Sequence, residues 1–252
     1  MTDNAELVVW GIRGLPEIEP GTDLAQLIYC AMVGQGTKLL SGDIVVITQK
    51  IVSKAEGQVV RLSDVEPSHF ALEIGTRYGK DPRQVEVVLR EAKRIVRMRG
   101  GLLITETKHG YICANAGVDN SNVESGSVTL LPQNPDLSAL RMKERLEALL
   151  GLKLAVIISD TWGRPWRSGI VNFAIGSAGI NPVLDYAGQK DQFGYELKVT
   201  KIAVIDEIAA LAELVCGKLD NTPVAIVRGY KYEPSDLGAA SLLRPPDQDL
   251  FY

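Results

Sequence analysis

The chain has 252 residues, enough for one large domain or two modest ones at about 150 residues per domain. Hydrophobic residues make up 46% and charged residues 23%, which is typical of a globular protein and excludes a disordered chain or a disulfide scaffold. The 27 basic and 31 acidic residues give a net charge of -4, so no overall positive field attracts nucleic acid or anionic lipid.

Cysteine and histidine are too scarce and scattered for the common catalytic and metal centres. Cys30, Cys113 and Cys216 form no CxxC pair, and we expect them to be buried and reduced. His69 and His109 are far apart in the sequence, which disfavours a His-based metal site or a Ser-His-Asp enzyme.

The N-terminal residues and the hydropathy of the chain bear on its location. Residues 1–6 are acidic and lack the basic and apolar stretches of a leader peptide. No uninterrupted apolar run approaches the roughly 18 residues of a membrane span. We therefore expect a cytoplasmic protein with neither a membrane nor a nucleic acid as its partner.

In the first half of the chain, short apolar runs alternate irregularly with amphipathic patterns. Leu24, Leu27 and Ile28 share one helical face, and Asp81 followed by Pro82 is typical of a helix start. We expect the helix from Asp81 to pack against the helix before it. The patterns predict strands at residues 7–12, 43–48, 101–105 and 111–114, and helices at residues 23–32, 67–78 and from residue 81 onward.

The second half contains the most apolar strand of the chain. Residues 153–159 form a run of the kind that is buried on both faces, and we expect it to end at Asp160. Gly151 is expected to end the preceding helix, and Asp206 to cap a later one. The patterns further predict a helix at residues 136–150, strands at residues 127–131, 199–205 and 223–227, and an extended tail at residues 233–252. The irregular alternation favours an α+β fold with mixed and antiparallel sheets.

Two segments place an aspartate after an apolar run, among small and amide residues. Asp119 and Asn122 lie in residues 115–123 (NAGVDNSNV), and Asp160 and Thr161 follow the apolar strand. Mg²⁺ and Mn²⁺ prefer one or two carboxylates together with amide, hydroxyl and phosphate oxygens, which these residues offer. A lone aspartate at a strand end is more often a turn former, so that alternative stays open.

Basic residues near these aspartates are candidates for binding an anion. Arg164 and Arg167, flanked by tryptophans, fit a phosphate or carboxylate clamp better than a simple turn. Lys50 and Lys54 are spaced to approach one phosphate chain, although paired lysines are more often a solvated face. Lys190 lies in a glycine-punctuated loop that either reaches a substrate or forms a surface turn.

The common nucleotide-binding motifs are absent from the sequence. Residues 75–81 have the wrong spacing for a GxxxxGK[ST] phosphate loop, and no GxGxxG motif occurs at a strand–helix junction. If a nucleotide binds, its site is of another kind.

Six segments together resemble the coenzyme F420 L-glutamate ligases. They are GLPEI (residues 14–18), SKAEG (53–57), NAGVDNSNVE (115–124), DTWGRPWR (160–167), GQKD (188–191) and DEIAA (206–210). The resemblance runs from about residue 7 to residue 229, in order and without large gaps. Jointly the segments are highly specific, although each alone is weak.

The resemblance implies a GTP-dependent ligase that adds L-glutamate to the lactyl carboxylate of F420-0 and then to the γ-carboxylate of the growing tail. It also implies a single α+β unit over residues 1–252, an intertwined homodimer and a requirement for Mg²⁺ or Mn²⁺, with a requirement for K⁺ left open. The carboxylate would be activated as an acyl phosphate, which the glutamate amine displaces, so that the protein chiefly positions its substrates and neutralises charge.

Residue by residue, the resemblance assigns two groups of ligands. The nucleotide contacts are Leu15, Pro16, Glu17, Ile18, Gln49, Lys50, Lys54, Asn122 and the loop from Cys216 to Pro223, including Gly217, Lys218 and Asp220. The metal ligands are Asp119, Asp160 and Thr161. Lys218 stands where relatives can supply a further acidic metal ligand, so either Asp220 substitutes for that ligand or Lys218 replaces a metal charge and touches a phosphate.

In this scheme Lys50, Lys54 and Arg164 offset the charge that develops on the phosphates, and Arg167 and Lys190 anchor the acidic substrates. Three alternatives stay open: the same chemistry on another acceptor such as a folate, a metal-dependent phosphohydrolase that uses both aspartates, and a nucleotide-binding module without catalysis.

Overall fold

The computed structural model of the protein describes residues 6–249, so that nearly all of the acidic N-terminal stretch lies outside the described residues. Its α-helices are α1 (Leu24–Gly34), α2 (Gln49–Ala55), α3 (His69–Tyr78), α4 (Pro82–Glu91), α5 (Pro135–Leu150) and α6 (Val204–Cys216). Its strands are β1 (Val8–Ile12), β2 (Ile44–Thr48), β3 (Val59–Arg61), β4 (Ala92–Arg99), β5 (Leu102–Thr107), β6 (Ile112–Ala114), β7 (Ser127–Thr129), β8 (Ala155–Arg164), β9 (Arg167–Ala178), β10 (Val183–Asp185), β11 (Lys201–Ala203) and β12 (Val224–Arg228).

The largest sheet has five strands in the order β1-β12-β2-β8-β9. Strands β2 and β8 run parallel, with Thr48 opposite Ser159, and the other neighbouring strands are antiparallel. The first halves of β2, β8 and β12 consist of buried aliphatic residues, because helices cover both faces of the sheet. The mixed sheet confirms the predicted α+β class.

Strand alternation divides the core of this sheet into two layers. Ile158 faces α1 and α5, where it packs in one cluster with Ile28 and Leu146. Ile157 faces the opposite side, where α6 contributes Ile205. We call this part of the molecule the sheet region. Within residues 6–249, no helix is long and apolar enough to cross a membrane.

Residues 58–131 leave the sheet region after α2 and return to it before α5, and we call them the inserted region. It contains α3, α4, the antiparallel sheet β4-β5-β6 and the pair β3-β7. It has its own core, in which Ile74, Val88 and Leu103 are buried. The backbone N–H of Leu130 donates to the carbonyl of Gln58 at 2.9 Å, so the inserted region leaves and returns at adjacent points.

Most predicted elements are confirmed, several with their predicted ends. Asp23 caps α1 by accepting a hydrogen bond from the N–H of Gln26, and Asp81 caps α4 in the same way at Arg83. Helices α3 and α4 pack as a pair. Gly151, with a φ of 68°, ends α5 in the left-handed conformation that glycine adopts without strain.

The predicted end of the apolar strand at Asp160 is wrong. Strand β8 continues to Arg164 because the unpredicted strand β9 pairs with it, so that Asp160 lies opposite Phe173 and Trp162 opposite Val171. Thr161 and Trp162 have high strand propensity, and cross-strand pairing outweighs the tendency of Asp160 to form a turn. The arginines therefore lie at the tip of a long hairpin.

The predicted cap at Asp206 is also wrong. Helix α6 begins at Val204 with Ala203 as its N-cap, because Val204 and Ile205 are both buried and pack as part of the first turn. Asp206 instead accepts a hydrogen bond from the N–H of Ala174 at 2.9 Å and ties α6 to β9.

Two further predictions, the burial of all three cysteines and the extended C-terminal tail, are confirmed only in part. Cys113 and Cys216 are buried free thiols as predicted, but Cys30 is exposed because it lies off the apolar face of α1. The tail predicted at residues 233–252 packs in part on the protein, since Ala239 is buried and its N–H donates to Asp136 at 2.7 Å.

Candidate active site

A cleft of about 930 Å³ opens at the carboxyl ends of the parallel strands β2 and β8. In open sheets with parallel strands, this edge is where ligands bind, because chain segments diverge there. The predicted site residues that line it are Leu15, Pro16, Glu17, Ile18, Gln49, Lys50, Lys54, Asp119, Asn122, Asp160, Thr161, Gly217 and Lys218. The cleft therefore brings together residues that the sequence separates by up to about 200 positions.

Lys50 and Asp119 join the two regions across this cleft. Lys50 lies in the first turn of α2, and its Nζ forms an ion pair with Asp119 of the inserted region. The same Nζ donates to the carbonyl of Ser121 at 3.0 Å, while the N–H of Ser121 donates to Asp119 at 2.8 Å. Burial raises the pKa of Asp119, but the bonds from Lys50 and Ser121 outweigh it and lower the pKa below its usual range.

Asp160 lies on the floor of the cleft, in the middle of β8. Burial, and after it the negative charge of Asp119, raise the pKa of Asp160 to about 6, although the N–H of Thr161 and the side chain of Gln49 oppose the rise. Gln49 is itself fixed by the Ser53 hydroxyl, which donates to its Oε1 at 2.8 Å. A positive charge beside Asp160 would relieve this destabilised carboxylate.

Lys54 approaches the same cleft one turn further along α2. Its side chain is only 10% exposed and forms an ion pair with Glu17, which is 77% exposed on the loop before α1. Because α2 repeats every 3.6 residues, Lys50 and Lys54 lie on one face, as their spacing predicts. The two side chains are only 17% and 10% exposed, so the alternative of a solvated face is wrong.

A chain of hydrogen bonds forms the wall of the cleft beside Thr161. The Thr161 hydroxyl donates to Asn172 Oδ1 at 2.5 Å and accepts from Lys218 Nζ at 2.7 Å. Asn172 Nδ2 donates to Glu213 at 2.9 Å, and Lys218 also pairs with Glu213 at 2.7 Å. Strand β9 and helix α6 thus hold Thr161 in place.

Sequence reasoning assigned no role to several polar residues of this cleft, among them Ser121, Asn172 and Glu213. Ser121 lies in the quoted acidic segment but was not assigned a role. Glu213 is an acid in an otherwise apolar stretch of α6 (residues 208–216, IAALAELVC), and that contrast is the available signal. Asn172 becomes informative only once β9 is known to pair with β8.

Five predicted site residues do not line the cleft. Arg164 and Arg167 face each other near the hairpin tip, and four residues of strand put Arg164 roughly 13 Å from Asp160. Lys190 pairs with Glu196 in the isolated bridge of an exposed loop. The other two are Cys216, the last residue of α6, which is buried in the core, and Asp220, which lies beside Gly217. The predicted roles of Arg164 in offsetting phosphate charge, and of Arg167 and Lys190 in anchoring the acidic substrates, stay predictions.

The donor set of the cleft fits a hard divalent cation. Among residues 6–249, no three His, Cys, Asp or Glu side chains lie close enough together to hold an ion by themselves. Two carboxylates and a hydroxyl, from Asp119, Asp160 and Thr161, match the sites in which Mg²⁺ or Mn²⁺ takes its remaining ligands from phosphate and water. Ser159 Oγ is buried at the same edge, has no hydrogen-bond partner among residues 6–249, and is a further oxygen for a ligand.

Paired carboxylates and buried lysines around a large polar cleft are typical of an enzyme that acts on charged small molecules. The family model described as F420-0:Gamma-glutamyl ligase matches residues 11–229. The chain belongs to this family and is an amide-forming ligase.

Three relatives, each named Coenzyme F420:L-glutamate ligase, show how far the similarity extends. The protein of Methanothermobacter thermautotrophicus is 47% identical over 96% of this chain and 97% of its own length. That of Methanopyrus kandleri is 45% identical over 93% of each chain. That of Methanocaldococcus jannaschii is 46% identical over 83% of this chain and 84% of its own.

Proposed function

We propose that the protein is a GTP-dependent ligase that joins L-glutamate to coenzyme F420-0 and then extends a γ-linked glutamate tail. One observation carries the proposal: Asp119 and Asp160, from different regions, share a cleft with Lys50 and Lys54. The family and the names of the relatives support the acceptor and the amino acid. The loop of Leu15–Ile18 and the turn at Gly217 complete a cleft of suitable size for a nucleotide.

In the proposed reaction, a carboxylate oxygen of the acceptor attacks the γ-phosphorus of GTP, the bond to GDP breaks, and an acyl phosphate forms. The glutamate amine then attacks the acyl carbon, phosphate leaves, and the amine proton passes to solvent. Mg²⁺ or Mn²⁺ supplies neutralisation of phosphate charge when it is bound. No protein nucleophile is needed.

The chain's own residues carry out the rest of this reaction. Asp119 and Asp160 would hold the metal, with the Thr161 hydroxyl as a third oxygen. Lys50 and Lys54 leave their carboxylate partners and bind the phosphates, where their charge offsets that of the leaving GDP. Because both lysines are already held in the cleft, little side-chain freedom is lost on binding.

The test is to incubate the protein with GTP, Mn²⁺, F420-0 and L-glutamate, and to follow product mass and phosphate release together. We expect glutamate-dependent release and products heavier by successive glutamates. Release without glutamate would indicate a phosphohydrolase, and turnover with a folate but not with F420-0 would indicate another acceptor. GTP binding without release would indicate a binding module.

We also propose that the protein is a homodimer. Large apolar side chains are exposed on the β8–β9 hairpin and on the loop that follows β10, where Trp166 is 83%, Phe193 86% and Val199 86% exposed. Apolar side chains this exposed are candidates for burial in a protein–protein interface. Light scattering should give twice the chain mass of 27.4 kDa. A single-chain mass would contradict the dimer and leave the ligase proposal unaffected.

A further inference from the structure

Lys218 occupies a position in the cleft where the surrounding groups all offer oxygen. Its Nζ lies 2.7 Å from Glu213 Oε1 and 2.7 Å from Thr161 Oγ1. The second oxygen of Glu213 accepts from Asn172, so this carboxylate is fully engaged. The ammonium of Lys218 is thus held by an acid and a hydroxyl, both of which are ligands that hard cations prefer.

The position of Glu213 in the fold requires a positive charge beside its carboxylate. Glu213 lies in the last turn of α6, where the unpaired carbonyls give the helix end a partial negative charge. Its side chain is only 20% exposed, so a carboxylate there is costly without a cation beside it. Lys218 is close to Glu213 in sequence and meets this need without any bound ion.

The turn that follows α6 directs Lys218 back into the cleft. Gly217 has a φ of 61°, a conformation that glycine adopts without strain. A Cβ at this position would lie 2.2 Å from Asp220 Oδ2, the end of a side chain that can move away, so it is the positive φ that favours glycine here. Lys218, the next residue, is 51% exposed, and its Nζ contacts Glu213 and Thr161 at the C-terminal end of α6.

We propose that Lys218 is a tethered cation that takes the place of a second divalent ion at Thr161 and Glu213. The cleft then binds one divalent ion, at Asp119 and Asp160, and the Thr161 oxygen is shared between this ion and the Lys218 ammonium. The exposed part of the ammonium faces the cleft, where it meets the phosphates of a bound nucleotide. This inference rests on the proposed function in two respects, namely that the two aspartates bind a metal and that the cleft binds a nucleotide.

The experiment counts Mn²⁺ ions per chain by electron paramagnetic resonance of the whole protein, with a non-hydrolysable GTP analogue present. We expect one ion in the wild type and two in Lys218→Met, because the variant frees Glu213 and Thr161. The double variant Lys218→Met with Glu213→Gln should return to one ion, since the second site loses its carboxylate. If Lys218→Met fails to fold, Lys218→Gln tests the same prediction.

A matched control is Lys108→Met, which removes a lysine from a Lys–Glu pair of 2.9 Å outside the cleft and should leave the count at one. Two ions in the wild type, or one in the folded Lys218 variants, overturn the inference while the proposed function stands. No Mn²⁺ binding in the wild type overturns both. Thus the two failures have different signatures.

Discussion

The sheet region and the inserted region each contribute one aspartate to the cleft, but they hold it in different ways. Asp160 lies within the long antiparallel pairing of β8 with β9, one residue beyond the last pair of β8 with β2. Asp119 lies in a loop that contains Asn115, Ala116 and Asn122, all with positive φ near 53°, and its backbone also pairs with β7 in an isolated bridge. A long strand pairing therefore fixes Asp160, whereas a single bridge and local contacts fix Asp119.

The electrostatics of the two aspartates follow the same division. The loop places the N–H of Ser121 and the ammonium of Lys50 beside Asp119, and both lower the pKa of Asp119. The strand gives Asp160 fewer donors in a more buried place, which raises its pKa. Lys50 and Ser121 thus already offset the negative charge of Asp119, whereas the charge of Asp160 is offset less and would be stabilised by a bound cation.

Removing the uncompensated aspartate should have the largest effect. In Asp160→Asn we expect glutamate ligation to fall by roughly 10³-fold or more, because metal neutralisation of phosphate charge is worth several kcal/mol. The melting temperature should be unchanged or higher, since the substitution removes a buried charge. Asp185→Asn, at an exposed pair with Lys201, is the control and should retain full turnover. Near-normal turnover in Asp160→Asn would remove it from the metal site.

Core substitutions test whether the two regions fold as one unit. Ile157→Ala in the sheet region and Ile74→Ala in the inserted region should each lower the free energy of unfolding by about 2–5 kcal/mol. We expect one denaturant transition in both variants, because Tyr111 and Leu131 of the inserted region are buried in the core of the sheet region. A separate early transition in Ile74→Ala would show that the regions unfold independently.

Loss of a phosphate-binding lysine should have a smaller effect. Lys54→Ala is expected to weaken GTP binding by about 10- to 100-fold, the range for a charge-assisted hydrogen bond of about 1.5–3 kcal/mol. The measurement is isothermal titration calorimetry with a non-hydrolysable analogue. Lys153→Ala, which removes an 87% exposed lysine, should bind normally. Equal affinities for the wild type and Lys54→Ala would place Lys54 outside the nucleotide site.

The smallest effect concerns the helical pair of the inserted region. Glu86 accepts from the N–H of Ser68 at 2.9 Å, and bonds from Ser68 and then Arg90 lower its pKa from 4.5. The Glu86 carboxylate therefore binds a proton less readily in the folded state than in the unfolded chain. Ionised Glu86 thus stabilises the fold above about pH 4.5, and this stabilisation is lost as the pH falls.

Accordingly, Glu86→Gln should lower the free energy of unfolding by about 0.5–1.5 kcal/mol at pH 7 and by less at pH 3. Glu73→Gln, on the exposed side of α3, is the control. A loss in Glu86→Gln that does not change with pH would contradict the assignment to ionised Glu86.

The sequence predicted the elements whose signals are local. Residues 155–159 of the predicted run form the first half of β8 because an aliphatic run of this kind is stable only when buried, and Gly151 ends α5 because the turn requires positive φ. By contrast, β9 and the outer half of β8 depend on each other, and neither has a strong pattern alone. Pairing between strands is a long-range property that periodicity does not report.

The same contrast between local signals and long-range packing separates the site residues that the sequence predicted from those that it did not. The sequence predicted four of them, because each lies in a short motif beside a recognisable strand or turn: Lys50, Lys54, Asp119 and Asp160. Glu213 and Asn172 enter the cleft only through the packing of α6 against β9. Arg164 was grouped with Asp160 by sequence proximity, but an extended strand carries it away from the cleft.

The junction between β3 and β7 has a consequence for how such proteins change over evolutionary time. Because the chain leaves and re-enters the sheet region at adjacent points, joined by the bond from Leu130 to Gln58, the intervening segment can change in length without altering the order of the five main strands. Such changes spare Tyr111, Leu131 and Asp119, which tie this segment to the core and to the cleft.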